Sequence, residues 1–90
     1  MMTADTVKAL LAAGRIDEAD RMAEDALRRN PQCAELLYLR GQAAMKRSAW
    51  GEAISLFLQA EALEPEGPAR EAREMLDDIM AFYNKDMYNQ

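Results

Sequence analysis

The sequence contains no histidine and only one cysteine, Cys33. Histidine is the side chain that most often acts as a general acid or base, so neither a Ser-His-Asp nor a Cys-His arrangement can be assembled. The usual spacings of zinc ligands and the glycine-rich loops that hold phosphate are also absent. We therefore predict a protein that is not an enzyme and has no metal ion and no cofactor, with Cys33 as an ordinary turn or helix-start residue.

The sequence has no excess of basic residues and no long apolar run. Its 11 Lys and Arg are outnumbered by 16 Asp and Glu, which gives a net charge of −5. A protein that binds DNA or RNA needs a basic face to neutralise phosphates, so this balance argues against a nucleic-acid partner. No apolar run is long enough to span a membrane, and the short patch at 9–13 is too weak for a secretory signal. The lone cysteine gives no sign of an oxidising compartment. We expect a cytoplasmic protein that has no membrane partner.

β-Branched residues are scarce, and no alternating run typical of a β-strand occurs. Half of the residues are hydrophobic, and the most abundant types (Ala, Leu, Glu, Arg and Met) are good helix formers. Ninety residues are enough for one domain at most. We therefore predict a single all-α domain over residues 1–90.

A shift of the sequence by 34 residues brings small residues and prolines into register with one another. Pro31 and Pro65 each follow a helical stretch that proline cannot continue, and Gly14 and Ser48 occupy equivalent turn positions. Pro68 suits the first turn of a last helix. The pattern predicts five helices arranged as antiparallel helix-turn-helix repeats, at about 3–13, 17–29, 34–46, 50–62 and 68–84.

The segment from residue 38 to residue 65 resembles the tetratricopeptide repeat. It has that family's Gly, Ala-x-x-x-Phe, Ala and Pro positions at the family's spacing, in Gly41, Ala53, Phe57, Ala60 and Pro65. The unit at 34–67 is a strong match. The unit at 1–33 is degenerate, with Val7 where glycine is usual and Ala23 where an aromatic residue belongs. The resemblance implies a right-handed superhelical solenoid.

Close contact between the third and fourth helices requires small side chains. We expect Gly41 to lie opposite Ala53 and Ala60. The bulk around that contact is then supplied by Trp50, Phe57 and Leu63. Burial of each of these large side chains is worth roughly 1.5–3 kcal/mol.

The fifth helix carries an apolar stripe with i, i+3, i+4, i+7 spacing and a charged opposite side. The stripe consists of Ala72, Met75, Leu76, Ile79, Phe82 and Tyr83. Such a helix can cap the end of a solenoid over residues 68–84. Alternatively, part of the stripe is a docking surface. The polar tail at 85–90 is mobile, folds back onto the helix or inserts into the groove of a neighbouring molecule.

In the family that the sequence resembles, the first helix of each pair lines a concave groove that grips a peptide. Carried over by position, the resemblance gives the candidate partner-binding residues Lys8, Leu11, Glu35, Tyr38, Gln42, Met45, Lys46, Arg73 and Leu76. Aromatic residues are enriched among binding hot spots, which favours Tyr38. The alternative is that Tyr38 and Met45 only fill space and that the cations are only solvated.

Two functions agree with the sequence. The first is a non-catalytic module that binds a protein or peptide of unknown identity in this groove. The second is an element of assembly, either a homo-oligomer or part of a longer repeat array, because two and a half repeats are fewer than the ~3 that stability usually requires. The family's clamp for chaperone C-termini uses a specific set of Lys and Asn residues. This chain has Ala4, Lys8, Tyr38 and Gln42 at the corresponding positions, which disfavours chaperone docking.

Overall fold

The computed structural model describes residues 3–83, which form five α-helices and no strand. The helices are α1 (Thr3–Ala12), α2 (Ile16–Arg29), α3 (Ala34–Lys46), α4 (Trp50–Leu63) and α5 (Pro68–Tyr83). The predicted all-α fold is confirmed, and the helix ends lie within one residue of those expected. Asn84 and the tail at 85–90 lie outside the described residues. None of the five helices is long and apolar enough to cross a membrane.

The turns inside the two helix pairs use the same backbone conformation. Gly14 has φ of 81° between α1 and α2, and Ser48 has φ of 61° between α3 and α4. After each of them a backbone N–H reaches back into the preceding helix, from Arg15 to the carbonyl of Leu10 at 2.9 Å and from Ala49 to that of Ala44 at 2.8 Å. Left-handed φ at the end of a helix allows such a reversal, and glycine adopts it at least cost. The two predicted turns are confirmed.

The ends of α2 and α4 also correspond. The N–H of Asn30 donates to the carbonyl of Ala26 at 3.0 Å, and that of Glu64 donates to Ala60 at 2.9 Å. A proline follows immediately in both cases and prevents a further helical turn. Each helix pair therefore ends in the same way, with a last backbone hydrogen bond followed by proline.

Phe57 on α4 fills the contact with α3. It is buried, and its ring lies directly over Gly41, where even a Cβ atom would come within 2.6 Å of Cδ1. The atoms nearest to a Cβ at Gly41 belong to the ring of Phe57, so Phe57 supplies bulk at this contact as expected. Trp50 and Leu63 are exposed and do not surround this contact. Leu63 lies six residues after Phe57, which turns it about 120° away around the helix.

An ion-pair network joins α2, α3 and α4. The carboxylate of Asp20 on α2 lies 2.9 Å from Nε of Arg40 and 3.4 Å from a guanidinium nitrogen of Arg47. Glu52 on α4 approaches both arginines at 3.8 Å. Asp20 and Arg40 are mostly withdrawn from solvent. The network therefore fixes the second helix pair on the first more firmly than an exposed pair would.

The apolar stripe of α5 divides into two rows. Leu76 is buried, together with Ala69 just before the stripe, because α5 packs chiefly on α4 through this face. Met75, Ile79 and Phe82 are 48%, 41% and 76% exposed. We call these three residues the α5 outer row. The expectation that the whole stripe covers the last repeat is wrong for the outer row, because a single neighbouring helix can cover only one face.

Candidate partner-binding site

A salt bridge links α1 and α3 on the face predicted to bind a partner. Nζ of Lys8 lies 3.0 Å from Oε2 of Glu35, and both side chains are more than half exposed. The hydrogen bond that Lys8 donates to Glu35, followed by the charge of that carboxylate, raises the pKa of Lys8 above its ordinary value. Exposed pairs of this kind contribute little to stability, so a partner can rearrange this one at small cost.

Tyr38 follows on α3 and is half-buried. Its ring is tilted by 39° to that of Phe57, with 5.6 Å between the ring centroids. One helical turn further on, Nε2 of Gln42 donates a hydrogen bond to Oη of Tyr38 at 3.0 Å. The aromatic contact and the hydrogen bond together hold the ring in one orientation, which reduces the entropy that it would lose on binding.

A cavity of about 290 Å³ lies beside Tyr38. Its walls come from α1, α3, the end of α4 and the start of α5. They are formed by Lys8, Ala34, Glu35, Tyr38, Ala60, Glu64, Gly67, Pro68 and Ala69. Small-molecule sites usually measure about 300–1,000 Å³, so this one is of a size for a side chain rather than for a cofactor.

The structure brings together only part of the predicted groove. Lys8, Glu35 and Tyr38 line the cavity, and Gln42 is bonded to Tyr38. The next two candidates on α3 lie beyond the cavity, with Met45 half-buried and Lys46 exposed.

Three predicted binding residues have structural roles. Leu11 and Leu76 are only 7% and 1% exposed and belong to the core, so they offer no surface to a partner. Both face inward because α1 and α5 each turn an apolar face toward a neighbouring helix. Arg73 is held by Glu61 at 2.6 and 3.2 Å and by Asp77 at 2.8 Å. The hydrogen bond from Arg73 lowers the pKa of Glu61. Arg73 therefore ties α5 to α4.

The cavity wall formed by the end of α4 and the loop before α5 was not predicted from the sequence. Glu64, Gly67 and Pro68 belong to this wall. Gly67 is held there by a hydrogen bond from its N–H to the carbonyl of Glu64 at 3.0 Å. The expected groove was assigned to the first helix of each pair alone, so residues outside those helices were not considered. Only the Gly67-Pro68 turn signal could have drawn attention to the loop.

These antiparallel helix pairs and their repeated turns define a helical repeat protein. Residues 5–68 match the tetratricopeptide repeat family. The structure is similar to that of protein BF1650 of Bacteroides fragilis, solved by NMR in solution, with a TM-score of 0.87 and 41% sequence identity over 100% of this chain and 92% of that one. No curated protein matches the sequence. The chain belongs to the tetratricopeptide repeat family, whose repeats generally mediate interactions between proteins and are typically non-catalytic.

Proposed function

We propose that this chain is a non-catalytic adaptor that binds a segment of another protein across α1 and α3, with one side chain of that segment seated in the cavity beside Tyr38. In this proposal residues 1–33 and 34–67 are the two repeats, and residues 68–84 close the array. The observation that carries it is the cavity itself, since an oriented aromatic side chain and an adaptable ion pair border a space of side-chain size. Central aromatic residues beside a pocket often supply a large share of binding energy.

The binding face also has the polar groups that a peptide backbone requires. The exposed salt bridge of Lys8 and Glu35 stands on one side of Tyr38, and the exposed Lys46 lies further along α3. These charges can pair with groups of a bound segment while the cavity supplies apolar contact. A ring of polar groups around a buried anchor is the usual anatomy of a protein interface.

The replacement of Tyr38 by alanine tests this function. Peptides selected from a random display library on the intact chain serve as probes, and isothermal titration calorimetry measures their dissociation constants. We expect Tyr38→Ala to weaken binding by at least about tenfold, because the anchor beside the cavity is removed. NMR shifts of the wild-type backbone amides should be concentrated at residues 34–42 and 64–69.

Two controls separate lost binding from lost folding. Tyr38→Leu keeps apolar bulk against Phe57, and its helicity should match that of the wild type while binding stays weak. Leu58→Ala truncates an exposed residue of α4 outside the cavity and should leave binding unchanged. Wild-type affinity in Tyr38→Ala, or peptide-induced shifts on α2 instead of α3, would contradict the proposal.

A further inference from the structure

A second surface lies on the side of α5 opposite Arg73 and has no role in the proposed groove. The α5 outer row (Met75, Ile79 and Phe82) follows i, i+4, i+7 spacing and forms one apolar ridge along the helix. Exposed apolar side chains arranged in this way on one helix face are typical of interaction sites rather than of scattered surface residues.

The borders of this ridge are acidic. Glu71 lies one turn before Met75, and Asp78 lies between Met75 and Phe82, so both flank the outer row on the same side. Neither forms an ion pair within residues 3–83, whereas Glu74 and Asp77 are paired with Arg70 and Arg73. Within the part of the chain that the structure describes, the ridge therefore has two carboxylates available and no available cation along it.

The packing of α3 indicates which kind of neighbour suits the position of Met75. The helix α3 is packed between α2 and α4, whereas the main contact of α5 is with α4 alone. A shift of 34 residues relates Met75 to Gly41, the residue of α3 that an antiparallel helix covers through Phe57. Met75 thus occupies the position on α5 that a helix fills on α3.

We propose that the α5 outer row binds an amphipathic helix of a partner protein whose apolar face is bordered by lysine or arginine. The apolar ridge supplies the contact area, and Glu71 and Asp78 pair with the basic border. A second copy of this chain fits less well, because two outer rows placed face to face bring Glu71 and Asp78 of both copies together without a cation. The net charge of −5 also favours a basic partner.

The probe is a 14-residue amphipathic peptide with leucine on one helical face and lysine elsewhere, and the comparison peptide has glutamate in place of every lysine. NMR titration of the intact chain is expected to show saturable shifts at residues 71–82 with the lysine peptide and none with the glutamate peptide. Binding should weaken as salt is raised from 50 to about 500 mM, since exposed ion pairs are screened.

Variants of α5 separate the contribution of the apolar ridge to binding from that of the acidic border. Met75→Ser with Ile79→Ser should weaken binding by at least about tenfold. Glu71→Gln with Asp78→Asn should weaken it by roughly fivefold at low salt. Their matched controls lie off the ridge. Leu58→Ser removes an equally exposed apolar residue of α4, and Asp5→Asn with Glu66→Gln removes two exposed charges.

Several results would overturn this proposal. If the α5 variants and their controls lost the same amount of affinity for the lysine peptide, the binding would reflect general charge attraction instead of a site. Equal binding of the glutamate peptide would remove the role of the acidic border, and an absence of shifts at residues 71–82 would remove the surface. A mass in sedimentation equilibrium that rises above 10.1 kDa with concentration, and that Met75→Ser with Ile79→Ser restores to 10.1 kDa, would assign the row to self-association.

Discussion

Replacement of Gly41 by alanine is expected to lower the free energy of unfolding by about 2 kcal/mol, although alanine is the better helix former by about 1 kcal/mol. The added Cβ would lie 2.6 Å from Cδ1 and 2.9 Å from Cζ of Phe57, and closer still to Cε1. The ring is buried on all sides and cannot swing into solvent. The two helices must therefore move apart. Urea unfolding followed by circular dichroism measures the loss, which corresponds to a fall in melting temperature of roughly 10 °C.

The matched control is the same substitution at Gly51, a helical glycine of α4 around which a Cβ would meet no atom within 4 Å. Gly51→Ala should raise stability by up to about 1 kcal/mol, because only helix propensity changes. If Gly41→Ala is equally stabilising, the close approach of α3 to Phe57 is not what requires glycine. A partial recovery in the double variant Gly41→Ala with Phe57→Leu would identify the ring as the cause.

The parts of the fold that the sequence predicted well depend on local signals. The helix ends follow from residues that act within one turn, such as Pro31, Pro65 and the left-handed positions Gly14 and Ser48. The all-α fold follows from composition and from the 34-residue period. These features do not require knowledge of which helix faces which.

The candidate site was less predictable because it depends on helix rotation. The i, i+3, i+4 pattern places Met75, Leu76 and Ile79 on one stripe of α5, but only the angle at which α5 meets α4 decides that Leu76 is buried while the other two are exposed. The pairing of Arg73 with Glu61 likewise joins residues of different helices. A repeat pattern thus predicts the groove helices but does not predict which of their side chains reach the surface.

The first repeat departs from its family at two positions that compensate for each other. Val7 and Ala23 are both buried, and the 34-residue shift relates them to Gly41 and Phe57. The second repeat has a large side chain, that of Phe57, on its second helix, and it has glycine, which lacks a side chain, at Gly41 on its first helix. The first repeat has a medium-sized side chain on its first helix and a small one on its second. We infer that the same space between two helices is filled from opposite sides, so that the first helix pair departs from the family's sequence and keeps its packing.

This exchange of volume predicts strong coupling between the two positions. Ala23→Phe should destabilise the chain by about 3 kcal/mol, because a ring must enter a filled space. Val7→Gly should cost a similar amount, about 2–3 kcal/mol, through lost burial and helix propensity. The double variant recreates the glycine and aromatic pair of the second repeat. We expect the fall in its free energy of unfolding to be smaller, by at least about 2 kcal/mol, than the sum of the falls in the two single variants.

Urea unfolding of the four proteins in this cycle measures the coupling. Ala23→Phe combined with Gly51→Ala is the control, and its two effects should add, since Gly51 has open space around its Cα. If the losses of Val7→Gly and Ala23→Phe also add, the two residues do not share one space, and the first repeat has repacked in some other way. If the two losses couple as expected, the total side-chain volume between the helices matters more than the size of the side chain at each position. This explains how a repeat can lose its family's characteristic residues and keep its packing.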